Sequence, residues 1–260
     1  MKPRCFVSCW GNEVNITGAL ALAAEWEACG IEGPVPVDDA NVESLRQRSV
    51  PWIAEIATGG GYVPRAHLST KVHFEDLRDQ IEKSLPFKPI LINALAGSDA
   101  WPMAEALSFY AQALALEREF GIPIAFETHR SRPTFHPWVT RDLLKGIPEL
   151  RLTCDFSHWC AVTERLVMDE EGELLDLIAN RALHVHARVG YEQGPQVPDP
   201  RVPEYAAALV AHERWWRRIA ERQVLHGNPL PTFTPEFGPD GYLQEELFRA
   251  CPKTGRFLRR

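Results

Sequence analysis

Basic residues are the minority charge in this 260-residue chain: 28 lysines and arginines stand against 35 aspartates and glutamates, for a formal net charge of −7. That balance disfavours nucleic acid as a partner, because a phosphate backbone normally meets a basic face. Long apolar runs are also missing. The longest, Gly18 to Ala24, is broken by Glu25 and falls far short of the roughly 20 residues of a spanning helix, so no membrane partner is expected. The cysteines, Cys5, Cys9, Cys29, Cys154, Cys160 and Cys251, include no CxxC pair and no compact framework. They read as reduced thiols of a cytoplasmic protein. The N-terminus reaches Gly11-Asn12-Glu13 before an apolar core develops, so no targeting segment is expected. A Gly-rich dinucleotide fingerprint is absent after the first predicted strand, where the chain reads SCWGNEVN.

What the chain does have is alternation. Strands are predicted at Arg4–Ser8, Ile31–Gly33, Trp52–Ile56, Pro89–Asn93, Ile122–Glu127, Leu150–Asp155, Ala182–Ala187 and Leu230–Glu236. Helices are predicted over Asn15–Cys29, Asn41–Arg48 and Ser69–Ser84. A later helix carries Met103, Leu107, Tyr110 and Leu114 in the stripe of a buried face, with Ser98 or Asp99 as its cap, and another carries Tyr205, Leu209, His212, Trp216 and Ile219. Eight units average about 32 residues each, near the length of one βαβ crossover. A single domain over residues 1–260, an α/β (β/α)8 TIM barrel, therefore fits better than an open sheet, which would want the missing fingerprint. After Glu236 only 24 residues remain, and Gly241–Arg260 is broken by Pro252 and Gly255. The final helix is expected to be short, displaced or missing, which leaves part of the wall exposed unless a partner subunit covers it, as in a homodimer. Thr58-Gly59-Gly60-Gly61 closes the third strand, either letting backbone approach a ligand or forming an unusual turn.

Four strands of the second half, PIAFETHR, LRLTCDFSH, ALHVHARVG and PTFTPEFGP, place Glu127, Asp155, His186 and Glu236 at their C-terminal ends, 28, 31 and 50 residues apart. A parallel barrel brings consecutive strand ends together around one mouth. Singly, each residue reads as a cap, an ion-pair partner or a core group. Four in register on consecutive strands read as a site. Alternate strand residues share a face, so Glu127 points with His129, and His186 with His184 and Arg188. His184 replaces His186 if the strand register is off by two. The Asp155-Phe156-Ser157-His158 step lets the carboxylate bind an ion while the imidazole touches what the ion holds. Three carboxylates and one imidazole suit one divalent metal, Mn²⁺ or Mg²⁺, with Co²⁺ or Zn²⁺ as alternatives.

On Glu127 in FETHR, Asp155 and His158 in CDFSH, His186 in HVHARVG and Glu236 in PEFGP, in this order, most of the chain resembles the xylose-isomerase-like TIM-barrel family of sugar isomerases and epimerases. The resemblance implies that Glu127, Asp155, His186 and Glu236 bind one divalent metal, that Glu127 and Glu236 shuttle a proton on opposite sides of the substrate, and that His158 contacts a substrate oxygen. It implies an isomerase or epimerase acting on a small sugar, keto-sugar or related polyhydroxy carbonyl compound through a metal-stabilised enediolate. A lyase or dehydratase using the same enediolate is the rival, and a non-catalytic sugar- or metal-binding barrel the third reading. Around the substrate, His158, Arg188, His129, His184 and Trp159 are the expected contacts. Trp10, Trp101, Trp138 and Trp159 all follow predicted strands closely, where a ring stacks on a sugar face or packs in a loop, and Trp159 is the one expected to stack. Arg130, Arg132 and Arg188 either hold a substrate carboxylate or phosphate or pair with acidic loop residues. Two departures stand out. Ketose 3-epimerases of the family place an arginine six residues after the metal histidine, where this chain has Glu192. The trinuclear endonuclease IV needs further histidines, which ILINALAG and VPDPR lack.

Overall fold

Strands such as WIAEIA and LINAL are apolar on both faces apart from one polar side chain each, a pattern suited to a parallel sheet with helices outside and side chains filling the inside. The computed structural model, which describes residues 3–11, 15–238 and 242, has that architecture. Eight parallel strands, β1 (Arg4–Ser8), β2 (Gly30–Pro34), β3 (Trp52–Ala57), β4 (Leu91–Leu95), β5 (Ile124–Glu127), β6 (Leu152–Cys154), β7 (Ala182–Ala187) and β8 (Thr232–Pro235), pair in sequence order. The sheet closes where β8 meets β1, at Arg4↔Thr232 and Cys5↔Phe233. This is the (β/α)8 barrel expected from the alternation.

Around it lie α1 (Ile16–Glu25), α2 (Asp39–Gln47), α3 (Thr70–Ser84), α4 (Met103–Phe120), α5 (Pro137–Gly146), α6 (Ser157–Thr163), α7 (Gly172–Ala179) and α8 (Ala206–Leu225). Their apolar stripes, such as Ala106, Phe109, Tyr110 and Ala113 on α4, join Trp52, Ile92, Phe126 and Trp215 in one large core. Neither Ser98 nor Asp99 caps α4, contrary to the expectation. Pro102, with φ fixed and no N–H of its own, starts the helix without a side-chain cap, while Ser98 Oγ accepts the Ala100 N–H at 3.3 Å. The expected short final helix falls on Gly241–Arg260, of which only Tyr242 is among the described residues.

Inside the barrel, Phe6, Ile53, Leu91 and Ala125 form an apolar plug. Toward the C-terminal strand ends the interior turns polar, with Glu32, Glu55, Asn93, Glu127, Asp155, His184 and His186 all buried. A register shift between β6 and β7 serves this placement: Leu152 pairs with Ala182, but Thr153 pairs with His184. The irregularity keeps Thr153 and His184 level. Two residues further along each chain stand Asp155 and His186.

The glycine run wraps an arginine rather than a ligand. Gly59, Gly60 and Gly61 all have positive φ, a region that side chains disfavour. The turn brings carbonyls to Arg132, which donates to Thr58 O and Gly97 O at 2.9 Å, Gly61 O at 2.6 Å and Tyr62 O at 3.1 Å. Arg132 is fully buried. Of the two readings open for Arg132, its role is structural, but its partners are backbone carbonyls rather than acidic loop residues.

Candidate active site

The ends of β5 and β6 are stitched by one threonine. Thr128 Oγ1 donates to Asp155 O at 2.8 Å and accepts the Asp155 N–H at 2.7 Å. Asp155 then turns the chain into α6, its Oδ1 accepting Ser157 N at 2.9 Å and Ser157 Oγ at 2.5 Å. Gly190, after β7, packs against this turn, where a Cβ would stand 2.6 Å from Ser157 Cα. Asp155 Oδ2 is left to face the barrel axis, where Arg188 bonds it.

Glu127, Asp155 and His186 each bring a ligand atom within 4.8 Å of the others. Glu236 is in no cluster that close among the described residues, but its Oε1 is 3.2 Å from His186 Nδ1, and Glu127 Oε2 is 3.6 Å from the same nitrogen. That nitrogen is buried and makes no well-aligned hydrogen bond. Arg188 also reaches Glu236 Oε2 at 3.7 Å and donates to Ser157 Oγ at 3.0 Å and His158 Nε2 at 2.6 Å. Its guanidinium lies 5.3 Å from the Trp10 ring and 4.9 Å from that of Tyr242.

Burial would raise the Glu127 carboxyl, but His186, assisted by His129 and Arg188, holds it down at about 2. Burial, with Glu127 and Asp155 nearby, pushes Glu236 up to about 8. It raises Asp155 too, despite Arg188. Although burial opposes charge on His186, the Glu236, Glu32 and Glu127 carboxyls hold its pKa well above the ordinary value. The His186 imidazolium and Arg188 thus neutralise the carboxylates here. A divalent cation fits the same place, since an unbonded nitrogen, the Asp155 Oδ2 oxygen and two glutamates supply an oxygen-rich donor set. Two further imidazoles flank Glu127. His129 and His158 stack with centroids 4.0 Å apart; burial, with nearby cations, depresses His129 to about 3 and His158 well below its usual range. Both are neutral hydrogen-bonding groups.

The mouth is a cavity of about 260 Å³ whose lining includes Trp10, Glu55, Tyr62, Glu127, His129, Arg130, Arg188 and Glu236. Three expected substrate contacts, His158, His184 and Trp159, are not in it. His158 is fully buried, stacked on His129 with its Nε2 accepting from Arg188. Trp159 is fully buried in the core, its Nε1 donating to Thr134 O at 3.0 Å and its ring 5.5 Å from Phe156. His184 lies a layer below His186, bonded to Glu32 Oε2 at 2.9 Å and Thr232 Oγ1 at 2.6 Å. Three groups escaped the sequence reading: Glu32, Asn93 and Glu55. Asn93 Nδ2 reaches Glu32 at 3.0 Å and Glu127 at 3.3 Å, and burial beside Glu32 and Glu127 lifts the Glu55 carboxyl to about 7. Their signal was a lone polar residue within an apolar strand. Glu192, where ketose 3-epimerases carry arginine, is exposed.

No protein-family model matches the chain, and no curated protein matches it. Solved structures do. A D-tagatose 3-epimerase-like protein is 15% identical, with 91% of each chain covered and a TM-score of 0.61. The IOLI protein, solved with a binding zinc atom, is 14% identical over 93% of this chain and 91% of its own, with a TM-score of 0.62. The probable 3-DHS dehydratase AsbF, involved in petrobactin synthesis in Bacillus anthracis, is 14% identical over 92% of this chain and 94% of its own, with a TM-score of 0.60. At these identities the likeness is one of fold: the chain shares the closed eight-stranded barrel of these proteins.

Proposed function

We propose that this protein is a metal-dependent isomerase or epimerase of a small sugar, keto-sugar or related polyhydroxy carbonyl compound. The observation that carries the reading is that Glu127 and Glu236 face one unbonded nitrogen, His186 Nδ1, at 3.6 and 3.2 Å. Together with Asp155 they would hold one divalent ion, Mn²⁺ or Mg²⁺, with Co²⁺ or Zn²⁺ as alternatives. When bound, the ion supplies Lewis-acid stabilisation of the charge that develops on the substrate. Glu127 and Glu236 take the proton-transfer roles, one removing a carbon-bound hydrogen next to the carbonyl and the other delivering a proton. His158 and His129, both neutral, hydrogen-bond substrate oxygens, and Arg188 fixes Asp155 and Glu236 in place. The Trp10 ring closes one side of the mouth. A cavity of about 260 Å³ lies below the ~300–1,000 Å³ typical of sites for drug-sized ligands, which suits a small substrate.

A second reading is a lyase, in which the same proton abstraction is followed by loss of a β-hydroxyl as water; likeness to a probable dehydratase favours it. Incubating ketoses, keto-glycosides and inososes in D₂O with Mn²⁺-loaded protein separates the two. Deuterium-bearing epimers or aldose–ketose pairs support the isomerase, and unsaturated products the lyase. Glu127→Gln or Glu236→Gln is expected to lower turnover by about 10²–10⁴-fold while some metal affinity persists. Absence of exchange with every compound, at full metal occupancy, overturns both.

The proposal extends to setting and assembly. Cys9, Cys29, Cys154 and Cys160 are free thiols and no described helix is long and apolar enough to cross a membrane, in keeping with a reducing cytoplasm. A groove beside β1 and β8 is lined by Val7, Val189, Val197 and the exposed Trp26 and Phe237, which supports a homodimer across this wall. Light scattering tests it, and a strict monomer at high concentration overturns it.

A further inference from the structure

Just beneath the mouth, a charge is buried where a barrel ordinarily packs branched aliphatic side chains. Glu32 on β2 is fully buried. Its Oε1 stands 3.0 Å from His186 Nε2 and accepts Asn93 Nδ2 at 3.0 Å, and its Oε2 stands 2.9 Å from His184 Nε2. His184 is held in turn by Thr232 Oγ1 at 2.6 Å and Thr234 Oγ1 at 3.1 Å. Such a network is not the cheapest way to fill the space, since well-packed hydrophobic residues replace buried ionic groups at no loss, and often with a gain, of stability. Its geometry points elsewhere. Of the two His186 nitrogens, Nε2 faces Glu32 at 3.0 Å, with Asn93 Nδ2 slightly farther at 3.2 Å, and Nδ1, which makes no well-aligned hydrogen bond, faces Glu127 and Glu236.

We infer that Glu32 is a positioning residue for the metal centre: by accepting a hydrogen bond from His186 Nε2 it orients the ring so that Nδ1 is presented to the cation. The inference rests on the metal site proposed above. A histidine ligand whose second nitrogen is bonded to a carboxylate has its tautomer and orientation fixed. Asn93 extends the arrangement, because its Nδ2 lies between Glu32 Oε1 and Glu127 Oε2, at 3.0 and 3.3 Å. The polar layer therefore aligns two of the proposed ligands from below, on strands β2, β4, β5 and β7.

Zinc titration of metal-stripped protein in competition with a chromophoric chelator tests this, with wild type, Asp155→Ala and Glu32→Gln compared at one pH. The expected result is about 10- to 100-fold weaker zinc binding by Glu32→Gln, with its circular dichroism unchanged, and loss of binding in Asp155→Ala. Zinc affinity in Glu32→Gln equal to that of wild type overturns the role of Glu32 while leaving the site intact. Wild type that binds no zinc, or binds it as Asp155→Ala does, removes the site itself and this inference with it. If Glu32→Gln does not fold, nitrogen-15 NMR of the histidines in unmutated zinc-loaded protein decides. His186 is expected to carry its proton on Nε2 and the metal on Nδ1; the reverse assignment overturns the inference.

Discussion

Arg132 and Arg188 are both buried beside the same mouth, yet they are held in opposite ways. Arg132 donates to four backbone carbonyls, and burial brings its pKa down to about 10 because the nearby negative groups only partly offset it. Arg188 meets the Asp155 and Glu236 carboxylates, which hold its charge more firmly than usual despite burial. Carbonyl dipoles fix a shape. Carboxylates fix a charge, and a second cation competes for the same carboxylates. The contrast separates an arginine held by the backbone from one held by carboxylates of the proposed site, although both follow a strand of that site closely in sequence.

Breaking the structural nest is expected to have the largest effect on stability. Arg132→Met leaves the carbonyls of Thr58, Gly61, Tyr62 and Gly97 without their donor, and buried groups left unmet cost about 1–3 kcal/mol each. A loss of about 3–5 kcal/mol is expected after partial relaxation, with a fall in Tm that Mn²⁺ does not repair. Arg188→Met leaves two buried carboxylates facing each other and is expected to destabilise the chelated protein by about 3 kcal/mol. Here Mn²⁺ should restore most of the loss, because the ion offsets the same repulsion. Thermal melts of both variants with EDTA and with Mn²⁺ make the comparison. An equal response to Mn²⁺ would erase the distinction drawn between the two arginines.

The same contrast divides the histidines. His186 stands among carboxylates, whereas His212 on α8 bonds the Ala208 carbonyl at 2.9 Å through Nδ1 and accepts the Gly190 N–H at 3.3 Å through Nε2. Protonating Nε2 would break the second bond inside the core, and burial lowers the His212 pKa from 6.5 to about 4. The unfolded chain therefore takes up the proton first as pH falls. Stability held by neutral His212 is complete above about pH 6.5 and is lost progressively down to about pH 4, by about 3 kcal/mol in total. Urea unfolding of wild type and His212→Gln between pH 7 and 4 measures it: the slope with pH should flatten in the variant. Next in size is metal removal from wild type. Saturation at a hundredfold over Kd contributes about 2.7 kcal/mol, so chelation should lower Tm by the matching amount and leave Asp155→Ala unaffected.

The half of the barrel from β5 to β8 was legible because its acidic and imidazole groups sit where apolar strands give way to loops. The half from β2 to β4 was not. Glu32 and Glu55 interrupt GIEGP and WIAEIA from within, and such a residue reads as a fault in a strand until closure of the barrel brings it near His186. His184 shares a face with His186 but lies two residues, about 6.6 Å, lower, and so falls to the layer below. Trp159 follows His158 in α6, and neighbouring helical side chains diverge by about 100°. With His158 turned toward Arg188 and His129, Trp159 turns into the core beside Phe156 and Thr134.

A third arginine gives the smallest and most discriminating prediction. Arg130 is exposed at the rim, its Nη2 3.4 Å from the Tyr242 hydroxyl and its guanidinium 5.6 Å from that ring. It is enclosed neither by carbonyls, as Arg132 is, nor by carboxylates, as Arg188 is. It is exposed in the folded state, and its removal takes from the Tyr242 hydroxyl only one long hydrogen bond. Arg130→Ala should shift stability by less than about 0.5 kcal/mol and leave metal affinity as it was, in melts and zinc titrations run beside the other two variants. A loss near that of Arg132→Met would place Arg130 with the structural arginines, and a metal-dependent loss would place it with Arg188.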